Sequence, residues 1–306
     1  MMPPFCVCVP ARNEAKRLPT LLSALATQDV VGLIPVAICL NNIDDDSVEL
    51  VHAARQRYDG RLGILIEEHR LPPDRAHAGA ARRIAMDRGL AYIDPDHGIL
   101  ISTDADCRPP AGWITANLTA MAAGVDMVGG RIVLDDAEPI PADLARIRHA
   151  IDGYWHDVRE IEDRIDPCLW DSPPRHGDHT GASLAITTDL YRKAGGVPPI
   201  PLGEDRALVE NGIAAGGRLA HPISVWTRTS SRRQGRATGG MATEMKRLEA
   251  LALVGLPPLL PSFDQWRQRA AWRRAIRASP DGAAAVIREE RLLPPMLCDF
   301  PLDIAP

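Results

Sequence analysis

Aromatic side chains make up only 4% of this 306-residue chain. Its core must therefore be filled by Ala, Leu, Ile and Val, and a hydrophobic content of 45% supplies enough of them for a globular fold. Long apolar runs are missing as well. No stretch reaches the roughly 18 residues that a membrane-spanning helix needs. The apolar run before Pro10 is too short for a secretory signal and Arg12 follows at once, so no leader is expected. There is no surplus of positive charge. The formal net charge is −5, which provides no global field to attract nucleic acid. Cysteine is sparse and scattered: Cys6, Cys8, Cys39, Cys107, Cys168 and Cys298 form no Cys/His cluster with zinc spacing. Cys6 and Cys8 share one face of an apolar run and read as small core residues. These absences point to a soluble, reduced, cytoplasmic chain, with peripheral contact at a membrane surface left open. Neither an internal repeat nor a low-complexity linker occurs.

What is present is a regular alternation of short apolar runs and helical patterns. Residues 5–9 are continuously apolar. Residues 15–27 follow with Leu18, Leu21, Leu22 and Leu25 on one helical face. A second strand is expected at 36–40, stopped by Asn41-Asn42. A helix capped by Asp46 or Ser47 runs from there to about 58. The same reading continues with a strand at 62–66, an Ala/Arg-rich helix at 78–93, a strand at 98–103, a helix at 112–123 and a strand at 126–133. This order predicts an α/β protein built on a mainly parallel, doubly wound sheet flanked by helices. The strands read as unbroken apolar runs because a parallel sheet is buried on both faces. A long helix is then expected over 139–165, with Leu144, Ile147, Ile151, Tyr154 and Val158 on one stripe. Residues 166–180 form either a binding loop or a connector. Residues 183–187 return to the sheet, 191–194 and 205–215 are helical, and 219–228 form a late strand. Residues 241–306 read as a helical C-terminal extension. The expected division is one domain over 1–240, with halves of about 1–135 and 136–240, followed by the tail at 241–306.

Chemistry concentrates where apolar runs end. Ile99 to Thr103 stops in Asp104-Ala105-Asp106. Open α/β sheets bind ligands at the carboxyl edge of their strands. Two acids one residue apart repel, and Mg²⁺ or Mn²⁺ between them and a substrate diphosphate would relieve that repulsion. A solvated acidic turn ahead of Pro109-Pro110 is the plainer alternative. Pro10, Arg12, Asn13 and Glu14 follow the first strand at the same edge, where a helix N-terminus would favour phosphate. The amides of Asn41 and Asn42 could pair with a nucleobase or ribose, or serve a turn together with Asp44, Asp45 and Asp46. In Gly79-Ala80-Ala81-Arg82-Arg83, small residues allow close backbone approach and Arg82 could meet a phosphate, while Arg83 reads as solvent-facing. Glu204-Asp205 opens a helix, so the pair is either an acidic first turn or a general base beside a reacting centre. Arg232, Arg233 and Arg236 could neutralise a leaving diphosphate or belong to a solvated loop.

The order and spacing of these segments resemble the family 2 glycosyltransferases of GT-A fold over roughly residues 5–236. The resemblance rests on Pro10, Asn13 and Glu14, the polar turn after strand two, the helix that opens with small residues and Arg82, Asp104-x-Asp106, Gly181-Ala182-Ser183, Gly195-Gly196 and Glu204-Asp205. It implies a metal-dependent hexosyltransferase that moves a sugar from a nucleotide-diphosphate donor to an acceptor hydroxyl with inversion. In that reading Pro10, Arg12 and Glu14 line the nucleotide pocket, with Asn42 near the base. Asp104 contacts ribose or metal, and Asp106 holds the Mn²⁺ or Mg²⁺. Asp205 is the catalytic base, Glu204 helps hold the acceptor, and Arg82, Arg233 and Arg236 meet the donor. The first half of the domain then serves the nucleotide and the second the acceptor. The turn after strand two carries amides where relatives usually carry an acid. The late histidine that many relatives give to the metal has His221 as its nearest counterpart. Arg233-x-x-Arg236 is followed by Ala237 rather than Trp, which speaks against a processive synthase. A sugar-phosphate nucleotidyltransferase is the alternative enzyme, although residues 9–16 carry no lysine-rich glycine loop. A catalytically silent nucleotide-sugar-binding protein is the non-enzymatic one. Association with a second copy through the helical tail stays open.

Overall fold

The computed structural model describes residues 2–93, 97–233, 235, 240–280 and 282–304. In chain order the elements begin β1 (Phe5–Ala11), α1 (Leu18–Ala26), β2 (Ile34–Asn41), α2 (Ser47–Arg57), β3 (Leu62–His69), α3 (Ala78–Tyr92) and β4 (Ile99–Ser102). They continue with β5 (Cys107–Arg108), α4 (Trp113–Ala122), β6 (Met127–Gly129), β7 (Arg131–Leu134), α5 (Ala142–Ile165), β8 (Leu184–Thr187), α6 (Thr188–Lys193) and α7 (Glu204–Ala214). The chain ends with β9 (Leu219–Ala220), β10 (Trp226–Thr229), α8 (Met241–Val254), β11 (Leu259–Pro261), α9 (Phe263–Arg277), α10 (Gly282–Glu290) and β12 (Cys298–Pro301).

Contacts divide the chain into two compact units, Met1–Asp135 with Asp178–Ser230, and Asp136–Gly177 with Ser231–Pro306. The first holds a seven-stranded sheet of order β3-β2-β1-β4-β8-β6-β9. Its neighbours pair in parallel except β8, which runs antiparallel to both β4 and β6. The mainly parallel α/β architecture expected from the alternating runs is therefore the observed one. Strand periodicity sorts the core. Val7 and Val9 face the side covered by Leu18, Leu21, Leu22 and Leu25 of α1. Cys6 and Cys8 face the side covered by Ala81, Ala85 and Met86 of α3. The small residues on that second side let α3 lie close to the sheet. A side chain at Gly89 would come 2.8 Å from the Cys8 sulfur.

Two expected strands prove to be pairs. The 126–133 run divides into β6 in the large sheet and β7 in a three-stranded sheet of order β5-β10-β7. The switch falls at Gly129-Gly130, where a Cβ at Gly129 would overlap the Asp178 carbonyl and one at Gly130 the Ser183 hydroxyl. The 219–228 run likewise divides into β9 and β10 around His221-Pro222, because proline cannot donate to a ladder.

The second unit groups the long helix with the tail instead of breaking the chain at about 240. In α5 the stripe Leu144, Ile147, Ile151, Tyr154 and Val158 is buried, and α5 packs on α8 and α9. Tyr154 OH donates to the Pro261 carbonyl at 2.6 Å and accepts from Trp266 Nε1 at 2.6 Å. An amphipathic 24-residue helix needs an apolar partner, and the C-terminal helices supply it. The tail also contains β11 and β12, a two-stranded antiparallel sheet that the helical reading did not anticipate.

Candidate active site

The carboxyl edge of the large sheet gathers the polar groups of the first unit. β4 ends in Ser102 and Thr103, both fully buried, and the chain then turns. The Cys107 amide donates to the Asp104 carbonyl at 3.1 Å, and the Ser230 amide donates to the Asp106 carbonyl at 3.2 Å. Asp104 and Asp106 thus both lie in the turn between β4 and β5, beside the end of β10. Burial, reinforced by the negative charge of Asp104 and Asp106, pushes the Cys107 thiol well above its ordinary range. It is a neutral packing group.

The Asp104 side chain is 36% exposed and gives Oδ1 to Arg82 at 2.8 Å. Among the described residues no group of three or more His, Cys, Asp and Glu is arranged to hold a metal ion. Asp104 and Asp106 are nevertheless hard oxygen donors of the kind Mg²⁺ and Mn²⁺ accept, one or two carboxylates being usual when substrate phosphates and water supply the rest. The pair fits a cation that arrives with a diphosphate, not a closed protein cage. His221 ends β9 with its Nε2 3.2 Å from Nδ1 of His179, so the late histidine sits in an imidazole pair.

Arg82 lies at the start of α3 and is 3% exposed. Its Nε donates to Glu204 Oε1 at 3.1 Å, Nη1 to Ser102 Oγ at 2.7 Å and to the Gly181 carbonyl at 2.8 Å, and Nη2 to Asp104 Oδ1 at 2.8 Å. Burial alone would lower the affinity of this guanidinium for its proton. Asp104, Glu204 and Asp205 outweigh that, so it is held more firmly charged than an ordinary arginine. Glu204 and Asp205 open α7 after Gly203, whose φ of 76° lies in the left-handed region. Asp205 Oδ2 accepts from the Gly181 amide and Oδ1 from the Arg206 amide, each at 2.7 Å. Asp104, Arg82, Gly181, Glu204 and Asp205 thus form one bonded cluster.

On the other flank, Pro10 is buried at the end of β1 and Glu14 is 5% exposed. Arg12 Nη1 donates to the Ala76 carbonyl at 2.7 Å, which ties the first turn to the segment before α3. Asn13 and Asn42 both adopt left-handed backbone, with φ of 51° and 52°. The Asn42 amide is committed to the backbone of Leu71, donating to its carbonyl and accepting from its N–H at 3.0 Å each. Asp45 accepts from Ala15 N at 3.0 Å and Ser47 N at 3.1 Å, as turn chemistry requires. Of the two amides considered for the base, Asn41 and not Asn42 is the uncommitted one. It is 1% exposed, and its Oδ1 has no hydrogen-bond partner among the described residues. Strand phase could have singled it out, since Asn41 shares the face of Ala37 and Cys39, the side that α3 covers. Of the late arginines, Arg232 and Arg233 belong to the second unit, where Arg233 Nε lies 2.9 Å from Glu249 Oε1. Arg236 lies outside the described residues.

A family model described as glycosyl transferase family 2 matches residues 6–164. No curated protein matches the chain. Among solved structures, S. aureus TarS 1-349 in complex with UDP-GlcNAc aligns with a TM-score of 0.54 at 12% identity, covering 89% of this chain and 72% of that one. The same fragment with UDP gives a TM-score of 0.53 at 12% identity, covering 90% and 71%. A longer S. aureus TarS structure gives 0.52 at 14% identity, covering 90% of this chain but only 44% of that one. At these identities the likeness establishes a shared fold.

Proposed function

The chain belongs to glycosyl transferase family 2, and from that membership we propose that it moves a sugar from a nucleoside-diphosphate donor to an acceptor hydroxyl with inversion. One observation carries the reading: Asp104 beyond β4 and Asp205 at the head of α7 are joined in one cluster through Arg82 and Gly181.

Asp104 and Asp106 would hold Mg²⁺ or Mn²⁺ against the donor diphosphate. A cation there supplies Lewis-acid stabilisation of the departing diphosphate. Pro10, Arg12, Glu14 and the inward-facing Asn41 line the nucleotide end, with Asn42 shaping the turn that carries Asn41. An amide offers a donor and an acceptor side by side, which suits a base edge presenting the complementary pair. At the other end Asp205, partly exposed and oriented by two backbone amides, takes the proton of the acceptor hydroxyl. The acceptor oxygen forms its bond to the anomeric carbon as the carbon–oxygen bond to the diphosphate breaks on the opposite face. The configuration inverts, and the proton remains on Asp205. Glu204, 6% exposed and paired with Arg82, is a strut of the cluster in place of the acceptor-holding role expected for it.

A thermal-shift panel of nucleotide sugars with and without Mn²⁺ tests this directly, since a ligand that binds only the folded state raises the melting temperature. Stabilisation by at least one nucleotide sugar, enhanced by Mn²⁺, is expected. Indifference to every donor in the panel would remove the reading. Asp205→Asn should keep that stabilisation and lose transfer.

A further inference from the structure

Resting on the transfer reading above, we infer that Arg82 is a positioning residue: one buried cation fixes the donor-side carboxylate of Asp104 and the acceptor-side pair Glu204–Asp205 in a single frame, and it is not a ligand of the diphosphate. An arginine that recognises phosphate presents a free fork of two parallel N–H groups. Arg82 has none to present. Its bonds to Glu204, Ser102, the Gly181 carbonyl and Asp104 occupy four of the five N–H groups of a guanidinium.

The frame extends through the peptide of Gly181. Its carbonyl accepts from Arg82 and, at 2.9 Å, from Ser102 Oγ, while its N–H donates to Asp205. A shift of the guanidinium would therefore move three carboxylates, two directly and one through a planar amide. The space around it is filled. A Cβ at Gly181 would overlap the guanidinium, and one at Gly79 would overlap the Ile200 carbonyl and come 3.0 Å from Cβ of Glu204. Glycine at 79 lets the first turn of α3 approach the head of α7, and glycine at 181 leaves room for the arginine head. Lysine in place of Arg82 would keep the charge but could not reach these acceptors with a planar, forked geometry.

The test uses Arg82→Lys in the full chain. Hydrolysis of UDP-glucose, UDP-N-acetylglucosamine and GDP-mannose with Mn²⁺ is followed by release of nucleoside diphosphate, and Mn²⁺-UDP and Mn²⁺-GDP binding is measured by calorimetry. On the donor the wild-type chain cleaves fastest, Arg82→Lys should lose on the order of 100-fold in kcat, the scale set by misplacing catalytic groups by about 1 Å. KM and the nucleoside diphosphate Kd should change by less than about tenfold, because Asp106 still holds the cation when Asp104 shifts. A tenfold or greater loss of nucleoside diphosphate affinity with kcat retained would make Arg82 a diphosphate ligand and overturn the inference. Unchanged kcat and KM would overturn it equally. If Arg82→Lys does not fold, the pair Arg82→Gln with Glu204→Gln removes the buried charges together. That double variant should fold, bind nucleoside diphosphate and stay slow, and near-wild-type turnover by it would end the positioning role. Failure of the wild-type chain to cleave any of the three donors would instead strike the transfer reading itself, and this inference with it.

Discussion

Each compact unit buries an arginine network, and the two are built to opposite ends. In the first unit Arg82 is surrounded by acids, yet Asp104 remains 36% exposed at the sheet rim. In the second unit Arg175, itself only 8% exposed, bonds to Asp163 Oδ1 at 2.6 Å and lies within ion-pair reach of Glu162 and Asp171, whose side chains are both 8% exposed. Arg273 closes the same group by bridging Glu162 and Glu290 at 2.7 Å each, and Arg277 ties Asp166 at 2.9 Å. These bonds pin the 166–177 connector to α5 and α9. Burial of charge does not by itself mark a reactive centre. What separates the two networks is a carboxylate still open to a ligand.

The contrast can be overturned at several points. The largest effect should come from the open network: Asp106→Asn is expected to cut donor turnover by about 10²–10³-fold, the scale of losing one electrostatic stabiliser, with little change in melting temperature. A large loss of stability alongside would make Asp106 a strut like the acids of the second unit. Next, Arg175→Ala leaves buried acids uncompensated and should cost about 3–5 kcal/mol in denaturant unfolding. The folded fraction should retain its kcat, and a kcat defect at full stability would bring the closed network into the chemistry. Within the first unit, Asn42→Ala should cost about 1–3 kcal/mol by stranding the Leu71 backbone groups. Asn41→Ala should cost little stability and weaken nucleotide binding, as read by calorimetry. The mildest test is thiol labelling at pH 8. Burial pushes Cys39 up to about 12 and Cys8 and Cys107 well above their ordinary range, so the exposed Cys298 should react first. Above the ordinary thiol value of 9.0 the unfolded chain holds fewer protons than the folded one, so stability should fall as pH rises toward about 12. Early labelling of Cys107 would mean that the rim opens.

The sequence disclosed what is periodic and withheld what is a contact. Continuous apolar runs gave away β1, β2, β3 and β4, and the runs that stop in Asn41 and Asp104 gave away the carboxyl edge of the sheet. The two strand pairs read as single strands were hidden because a run of apolar residues does not say which sheet each half joins. Gly129-Gly130 and His221-Pro222 were the only local cues. Arg82 was separable from the solvent-facing Arg83 as a phosphate candidate, but its acidic partners were not. Its burial depends on Asp104, Glu204 and Gly181, up to 122 residues away in sequence. Asn41 and Asn42 are identical in chemistry, and only backbone geometry at 42 and strand phase at 41 tell them apart. The closed network of Arg175 and Arg273 was invisible for the same reason: charges on a connector and on a helix read as solvated until their partners are known.

Because β8 runs against β4 and β6, it delivers its entrance, rather than its exit, to the rim where theirs terminate. The chain returns to the first unit at Asp178 and pairs Leu184 with Ser102 at that rim. One reversed strand thus lets the chain re-enter the large sheet at the same rim at which β4 and β6 leave it.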